Sequence, residues 1–271
     1  MLDMVKRRKW GLAVYSTEKS YLKKYDIRLV IISRGRHESI VGNTLKLLPD
    51  WVDLVVPEKE KFLYSSVCDN PLTTYDGDLI NGLGQTRNFV LETFKENTII
   101  MFDDDLKKFY SLTGKLTRNI DDVGEILQTI INTSVMSQDL GVSFFGFSQG
   151  DIRMYKGTDP FLLNSWVGGV VGVNGRKYKF RDDPFKVDVD YALQCLLVDR
   201  ITFVDNRFTF AQARDNNKGG SSLYRTQDSM EKSVASLRKK WGSAICMKEG
   251  RHKKNLSAKM NVPRKQAIIY E

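Results

Sequence analysis

Histidine is almost missing from this chain, with only His37 and His252 among 271 residues. No Ser/His/Asp arrangement is visible, and neither is a Walker loop or a zinc-ligand spacing. His252 sits in a basic run, where it reads either as part of that charge or as a third metal ligand. Cysteine is scarce as well. Cys68, Cys195 and Cys246 are scattered without metal-ligand spacing, and an odd, sparse set indicates reduced thiols in a cytoplasm-like compartment. No apolar stretch approaches the roughly 20 residues needed to cross a bilayer. The apolar residues 10–15, after the basic cluster Lys6, Arg7, Arg8 and Lys9, are too few for a secretory h-region. A cytoplasmic protein with no membrane partner is expected. Repeats and low-complexity linkers are absent too.

What is present is a foldable core, since 41% of the residues are hydrophobic and 11% aromatic, which excludes global disorder. The net charge of +9 is unevenly placed. Residues 232–265 hold eleven lysines and arginines against one acid, Glu249, a balance of +10, so the rest of the chain sums to −1. Such a block suits phosphate backbones, because neutralising them releases condensed counterions. Lys239, Lys240, Arg251, Lys253 and Lys254 are the candidate nucleic-acid contacts. A solvated face that maintains solubility is the plain alternative.

Residues 27–33 (IRLVIIS) read as a buried strand, residues 41–48 as helix-like, and residues 51–56 (WVDLVV) as a second strand. Residues 83–94 suit a helix with apolar positions 89, 90 and 94 on one face, and residues 99–102 a third strand. Strand and helix alternating at this spacing give a mostly parallel α/β sheet. Residues 120–136 form the cleanest amphipathic pattern. Strands follow at 142–147, 167–173 and 201–204, with helices at 188–198 and 228–241, and a weakly periodic basic tail. One compact, monomeric unit is expected: a basic N-terminal segment 1–26, a catalytic domain 27–227 and a basic helical extension 228–271.

The most informative motif is Asp103-Asp104-Asp105, which ends the strand of residues 99–102. Aspartates emerging at a strand's C-terminal end lie where open α/β sheets bind ligands. Residues two apart in extended chain point the same way, so Asp103 and Asp105 are the candidate metal ligands; Asp104 is turned elsewhere and counts, with Asp103, among the candidate cofactor contacts. Hard carboxylates suit Mn²⁺ or Mg²⁺ bridging to phosphates. Capping of the next turn is the alternative for such a triplet.

Four further segments carry candidate chemistry. Ser33, Arg34 and Arg36 follow the first strand, where arginine forks suit pyrophosphate. Gly82, Gly84 and Arg87 open a helix, a place for phosphate or ribose. Trp166, Gly168 and Gly169 precede a strand and allow close approach of a substrate. Asp188 and Asp190 open a later helix, where the dipole keeps a carboxylate ionised to accept a proton from a hydroxyl. Helix capping explains such acids equally well. Residues 214–222, including Lys218, read as a lid with cationic groups for a leaving diphosphate, or as a surface loop.

The order of these pieces resembles the GT-A glycosyltransferases. That resemblance implies a Rossmann-like nucleotide-binding half and an acidic motif, Asp103-Asp104-Asp105, whose metal holds the diphosphate of a sugar nucleotide. It also implies a Gly-Gly segment, Gly168-Gly169, and a late acidic pair, Asp188 and Asp190. In inverting members the first late acid is the base, here Asp188, although Val187 stands where many members have Glu. More narrowly, I-S-R-G-R, G-x-x-R-N and M-F-D-D-D resemble the TET-associated glycosyltransferase group of bacteriophages. The implied activity is hexosyl transfer from a UDP-sugar such as UDP-glucose to a hydroxymethylated pyrimidine in DNA, in the host cytoplasm if phage-encoded. A nucleotidyltransferase on the same metal site, a transferase with a non-DNA acceptor and a non-catalytic DNA-binding protein remain alternatives.

Overall fold

Strand β1 (Ile27–Ile32) is buried at every position except Arg28, as an interior strand of an α/β sheet must be. The computed structural model describes residues 17–112, 117–148, 159–183, 185–213, 220, 226–249 and 256–262. After a helical stretch α1 over residues 17–24, the sheet is built from β1, β2 (Asp53–Pro57), β3 (Leu72–Tyr75), β4 (Thr98–Asp103), β5 (Leu106–Ser111), β6 (Arg118–Ile120), β7 (Phe144–Ser148), β8 (Phe161–Leu162), β9 (Val170–Asn174) and β10 (Phe203–Gln212). The order is β3-β2-β1-β4-β9-β7-β10-β5-β6, with β8 pairing on β10. Neighbours from β3 to β4 are parallel, while β9, β5 and β8 run against the remaining strands. Most strands therefore point one way, as the sequence pattern implies.

The alternation along β1 sorts the core into two layers. Leu29 and Ile31 join Ile126, Leu127, Ile130 and Ile131 of helix α5 (Val123–Asp139). Val30 and Ile32 face the other way, toward Val90 and Leu91 of α4 (Leu83–Thr93) and Tyr191, Ala192 and Cys195 of α6 (Val187–Val198). Helix α5 starts at residue 123 because Asp122 caps it, accepting the Glu125 N–H at 2.8 Å. Two short helices, α2 (His37–Ile40) and α3 (Lys61–Ser65), follow β1 and β2. A third cluster, Val189, Leu193, Val234, Leu237 and Ile245, seats α7 (Gln227–Trp241) on α6. Among the described residues no helix is long and apolar enough to cross a membrane.

Three expectations are corrected. The helix read over 41–48 is no α-helix: the short α2 ends before it, at Ile40, and the segment itself holds a turn and a 3₁₀ turn at Thr44–Lys46. Thr44 is instead buried, its hydroxyl donating to the Asp103 carbonyl at 2.7 Å and accepting the Leu106 N–H at 3.0 Å. The strand read over 201–204 runs on to Gln212, because β10 has partners in β7, β5 and β8. The helical extension becomes α7 followed by a hairpin of β11 (Ile245–Glu249) and β12 (Leu256–Met260).

Candidate active site

Parallel pairing of β1 with β4 sets Ile32 beside Asp103, so the next residues, Ser33 and Asp104, also meet. Ser33 Oγ donates to Asp104 Oδ2 at 2.6 Å and lies 2.6 Å from Tyr64 Oη. Arg36 Nη1 contacts Asp104 Oδ1 at 2.5 Å and Asp105 Oδ2 at 3.4 Å, and its backbone N–H donates to Tyr64 Oη at 3.1 Å. Ser33, Tyr64 and Asp104 are buried. Burial opposes the charge on Arg36, but Asp104, Asp105 and Asp103 outweigh it and hold the guanidinium above its ordinary pKa. Asp104, expected to touch a cofactor, is thus an internal acceptor tying β1 to β4. Arg34 is likewise occupied, donating to the Ile80 and Gly77 carbonyls at 3.3 and 3.2 Å and so holding the loop after β3.

β4 ends at Asp103, and Asp104 and Asp105 form a turn into β5. The relation of Asp103 to Asp105 is therefore set by that turn and not by strand alternation. β9 runs antiparallel to β4 with Val170 opposite Phe102, which puts Gly169 beside Asp103. The Asp103 N–H donates to the Gly169 carbonyl at 2.7 Å. Gly169 has φ +71°, and a Cβ there would strike Gln212, whose Nε2 is 3.4 Å from Asp103 Oδ2. Close approach at this end of the sheet needs a glycine. Trp166 is partly buried, packing against the α6 and α7 clusters.

Arg87 is no surface contact for a nucleotide, contrary to the expectation from its place at a helix opening, because its side chain is wholly buried. It lies 3.3 Å from Asp103 Oδ1 and pairs at its other nitrogen with Asp188. Burial pulls the Arg87 pKa below its ordinary value, with Asp103 acting against it. The neighbouring Asn88 fixes the segment leading to α6, donating to the Phe180 carbonyl at 2.8 Å and accepting the Phe180 N–H at 2.9 Å. Asp188 and Asp190 then part company. Asp188 faces Arg87 and retains 17% side-chain exposure. Asp190 is fully buried against Lys240 and Trp241 of α7, which removes it from the candidate catalytic groups. The same pair engages Lys240, a candidate nucleic-acid contact whose side chain stays 49% exposed. Lys239 is exposed on α7. Lys218, Arg251, His252, Lys253 and Lys254 lie outside the described residues.

Asp103 and Asp105 offer hard oxygen donors at one end of the sheet, with Asp103 28% exposed. Among the described residues no group of three or more His, Cys, Asp and Glu gathers for a metal. That donor set fits Mg²⁺ or Mn²⁺, which keep waters and take substrate phosphates beside one or two carboxylates. Pattern reading missed Tyr64, Thr44 and Gln212, which lie far from the motif in sequence and carry no local periodicity. Arg87 did have a signal. It occupies the stripe of α4 shared by Gly84, Val90 and Leu91, all buried, and a charged residue there requires an internal partner.

A family model described as TET-Associated Glycosyltransferase matches residues 27–220. No curated protein matches the chain in sequence. Among solved structures, glucosyl-3-phosphoglycerate synthase from Mycobacterium tuberculosis, with Mn²⁺, UDP and phosphoglyceric acid, is similar at 10% identity and a TM-score of 0.50, over 90% of this chain and 89% of that one. The mannosyltransferase of Pyrobaculum calidifontis, with GDP-Man and Mn²⁺, gives 12%, 0.49, 84% and 71%. For S. aureus TarS 1–349 the values are 9%, 0.41, 78% and 65%, so the chain spans about two thirds of that structure. At 10% identity the likeness to the synthase is one of fold alone, the GT-A type that the order of motifs implies.

Proposed function

The chain belongs to the TET-associated glycosyltransferase family, and from that membership we propose that it moves a sugar from a nucleoside-diphosphate sugar to a hydroxymethylated pyrimidine in DNA. The observation that carries this reading is the convergence of Asp103 and Asp188 on the buried Arg87, which sets a ligand-binding carboxylate and a helix-opening carboxylate on one guanidinium. Asp103 and Asp105 would hold a divalent ion, which would supply Lewis-acid stabilisation to the departing diphosphate. Arg36 balances the aspartate cluster. Asp188 accepts the proton of the hydroxymethyl group as its oxygen attacks the anomeric carbon. The space beside Gly169 is taken by Gln212, which comes close to Asp103, and Gly168 and the half-buried Trp166 are the remaining candidate substrate contacts before β9. DNA as acceptor is supported by the basic excess of residues 232–265, which would engage the phosphate backbone while the base is turned out of the stack.

The test is UDP release from UDP-glucose with Mn²⁺, with and without hydroxymethylated DNA. Release that requires the modified DNA and vanishes in Asp103→Ala is the expected result. The same variant should retain DNA on a filter as the wild type does, and equal loss of both would overturn this division of labour. Metal-dependent hydrolysis indifferent to DNA would refute the DNA acceptor.

A further inference from the structure

Asp190 has no exposed surface, and a carboxylate without water needs protein donors to answer its charge. Three side chains supply them. Lys240 Nζ lies 2.8 and 3.0 Å from its two oxygens, Trp241 Nε1–H donates to Oδ1 at 2.7 Å, and Gln194 Nε2 donates to Oδ2 at 2.8 Å. Lys240 and Trp241 form the last turn of α7. The same helix also holds the segment just before α6. Ser233 Oγ donates to Asp183 and, at 3.1 Å, to the Phe185 carbonyl, and Arg181 Nη2 donates to Ser236 Oγ at 2.8 Å.

Two residues along a helix turn through roughly 200°, so Asp188 and Asp190 project from opposite sides of the first turn of α6. One side meets Arg87 and the other meets α7. No side chain caps this helix, and Lys186 before it is in the left-handed region at φ 58°. The turn therefore depends on contacts from outside α6 for its placement.

We propose that α7 is a positioning element of the active site: through Asp190, Lys240 and Trp241 fix the first turn of α6 and with it the pairing of Asp188 to Arg87. The proposal rests on the reading of Asp188 as the acceptor's base. It joins the basic C-terminal chain mechanically to the group that activates the acceptor.

The deciding measurement is amide hydrogen exchange on the full chain, comparing the wild type with Lys240→Met, Lys240→Arg and Trp241→Phe. Losing a hydrogen bond to a buried charge should raise exchange over residues 190–193, whose N–H groups close the first turn of α6, about tenfold in Lys240→Met, since local opening follows local stability. Lys240→Arg should restore protection, and β1 and β4 should exchange as in the wild type. Exchange that rises only within α7, or equally throughout the chain, overturns the proposal. Should Lys240→Met not fold, Trp241→Phe, which deletes a single donor, carries the same expectation. In Lys240→Met and Trp241→Phe transfer should fall about tenfold at unchanged donor KM, with Lys240→Arg near the wild type, while acceptor-free hydrolysis of the donor persists. Parallel loss of transfer and hydrolysis overturns the positioning role. A wild type without any turnover refutes the transferase reading instead, and the exchange result alone then decides whether α7 holds the turn.

Discussion

Replacing Arg87 with methionine keeps most of the side-chain stem and deletes the charge that two carboxylates share. The guanidinium is wholly buried, whereas its partners Asp103 and Asp188 retain 28% and 17% side-chain exposure. Breaking a buried ion pair from one side typically costs about 3–5 kcal/mol, because the remaining charge is left without compensation. Both carboxylates here keep some water, so the low end, about 3 kcal/mol, is expected. For a chain of this size about 2–4 °C of Tm is lost per kcal/mol, which gives a fall of roughly 6–12 °C. Arg87→Lys, with a charge but no fork, should fall between. Urea unfolding followed by circular dichroism reads the free energy, and a cycle with Asp188→Asn isolates the pair. Contacting residues couple by about 0.5–3 kcal/mol. A Tm shift under about 2 °C in Arg87→Met, or no coupling to Asp188, would refute the account of Arg87 as the internal bridge of the site.

Thr226 caps α7, accepting the Ser229 N–H at 3.1 Å within a reciprocal capping box; Thr226→Ala should cost about 1 kcal/mol by denaturant titration. Gly169→Ala forces an alanine into φ +71° against Gln212, at about 1–2 kcal/mol for the backbone alone. Because the Gly169 carbonyl holds the Asp103 N–H, a higher Mn²⁺ concentration for half-maximal activity should accompany that loss. Asp199 gives a pH signature. Burial opposes its ionisation, but the bonds from Lys177 and Ser143 prevail and hold the carboxyl below its usual value. A depressed carboxyl contributes stability in full above its unfolded pKa of about 3.9 and loses it as the pH falls through the folded value. The Tm gap between wild type and Asp199→Asn should thus be constant near neutrality and close below about pH 4.

What was legible in the sequence, and what was not, follows from how far each residue's partner lies along the chain. β1 and β4 could be read because burial on both faces writes itself as an unbroken apolar run. α5 could be read because its stripe repeats over 17 residues. β5, with two exposed lysines in LKKFYS, has no such run, and β11 and β12 are defined only by each other. Site residues divide the same way. The aspartate triplet announces itself locally, yet which of its members points inward depends on Ser33 and Arg36, about 70 residues earlier. Asp188 and Asp190 are indistinguishable as two acids in one helical turn, and only Arg87 on one side and Lys240 on the other separate them. Composition marked residues 232–265 as a basic block with a surface to offer. The structure shows that one of those lysines is committed to a carboxylate with no exposed surface, so a charge count states how much positive charge is present and not how much of it is free.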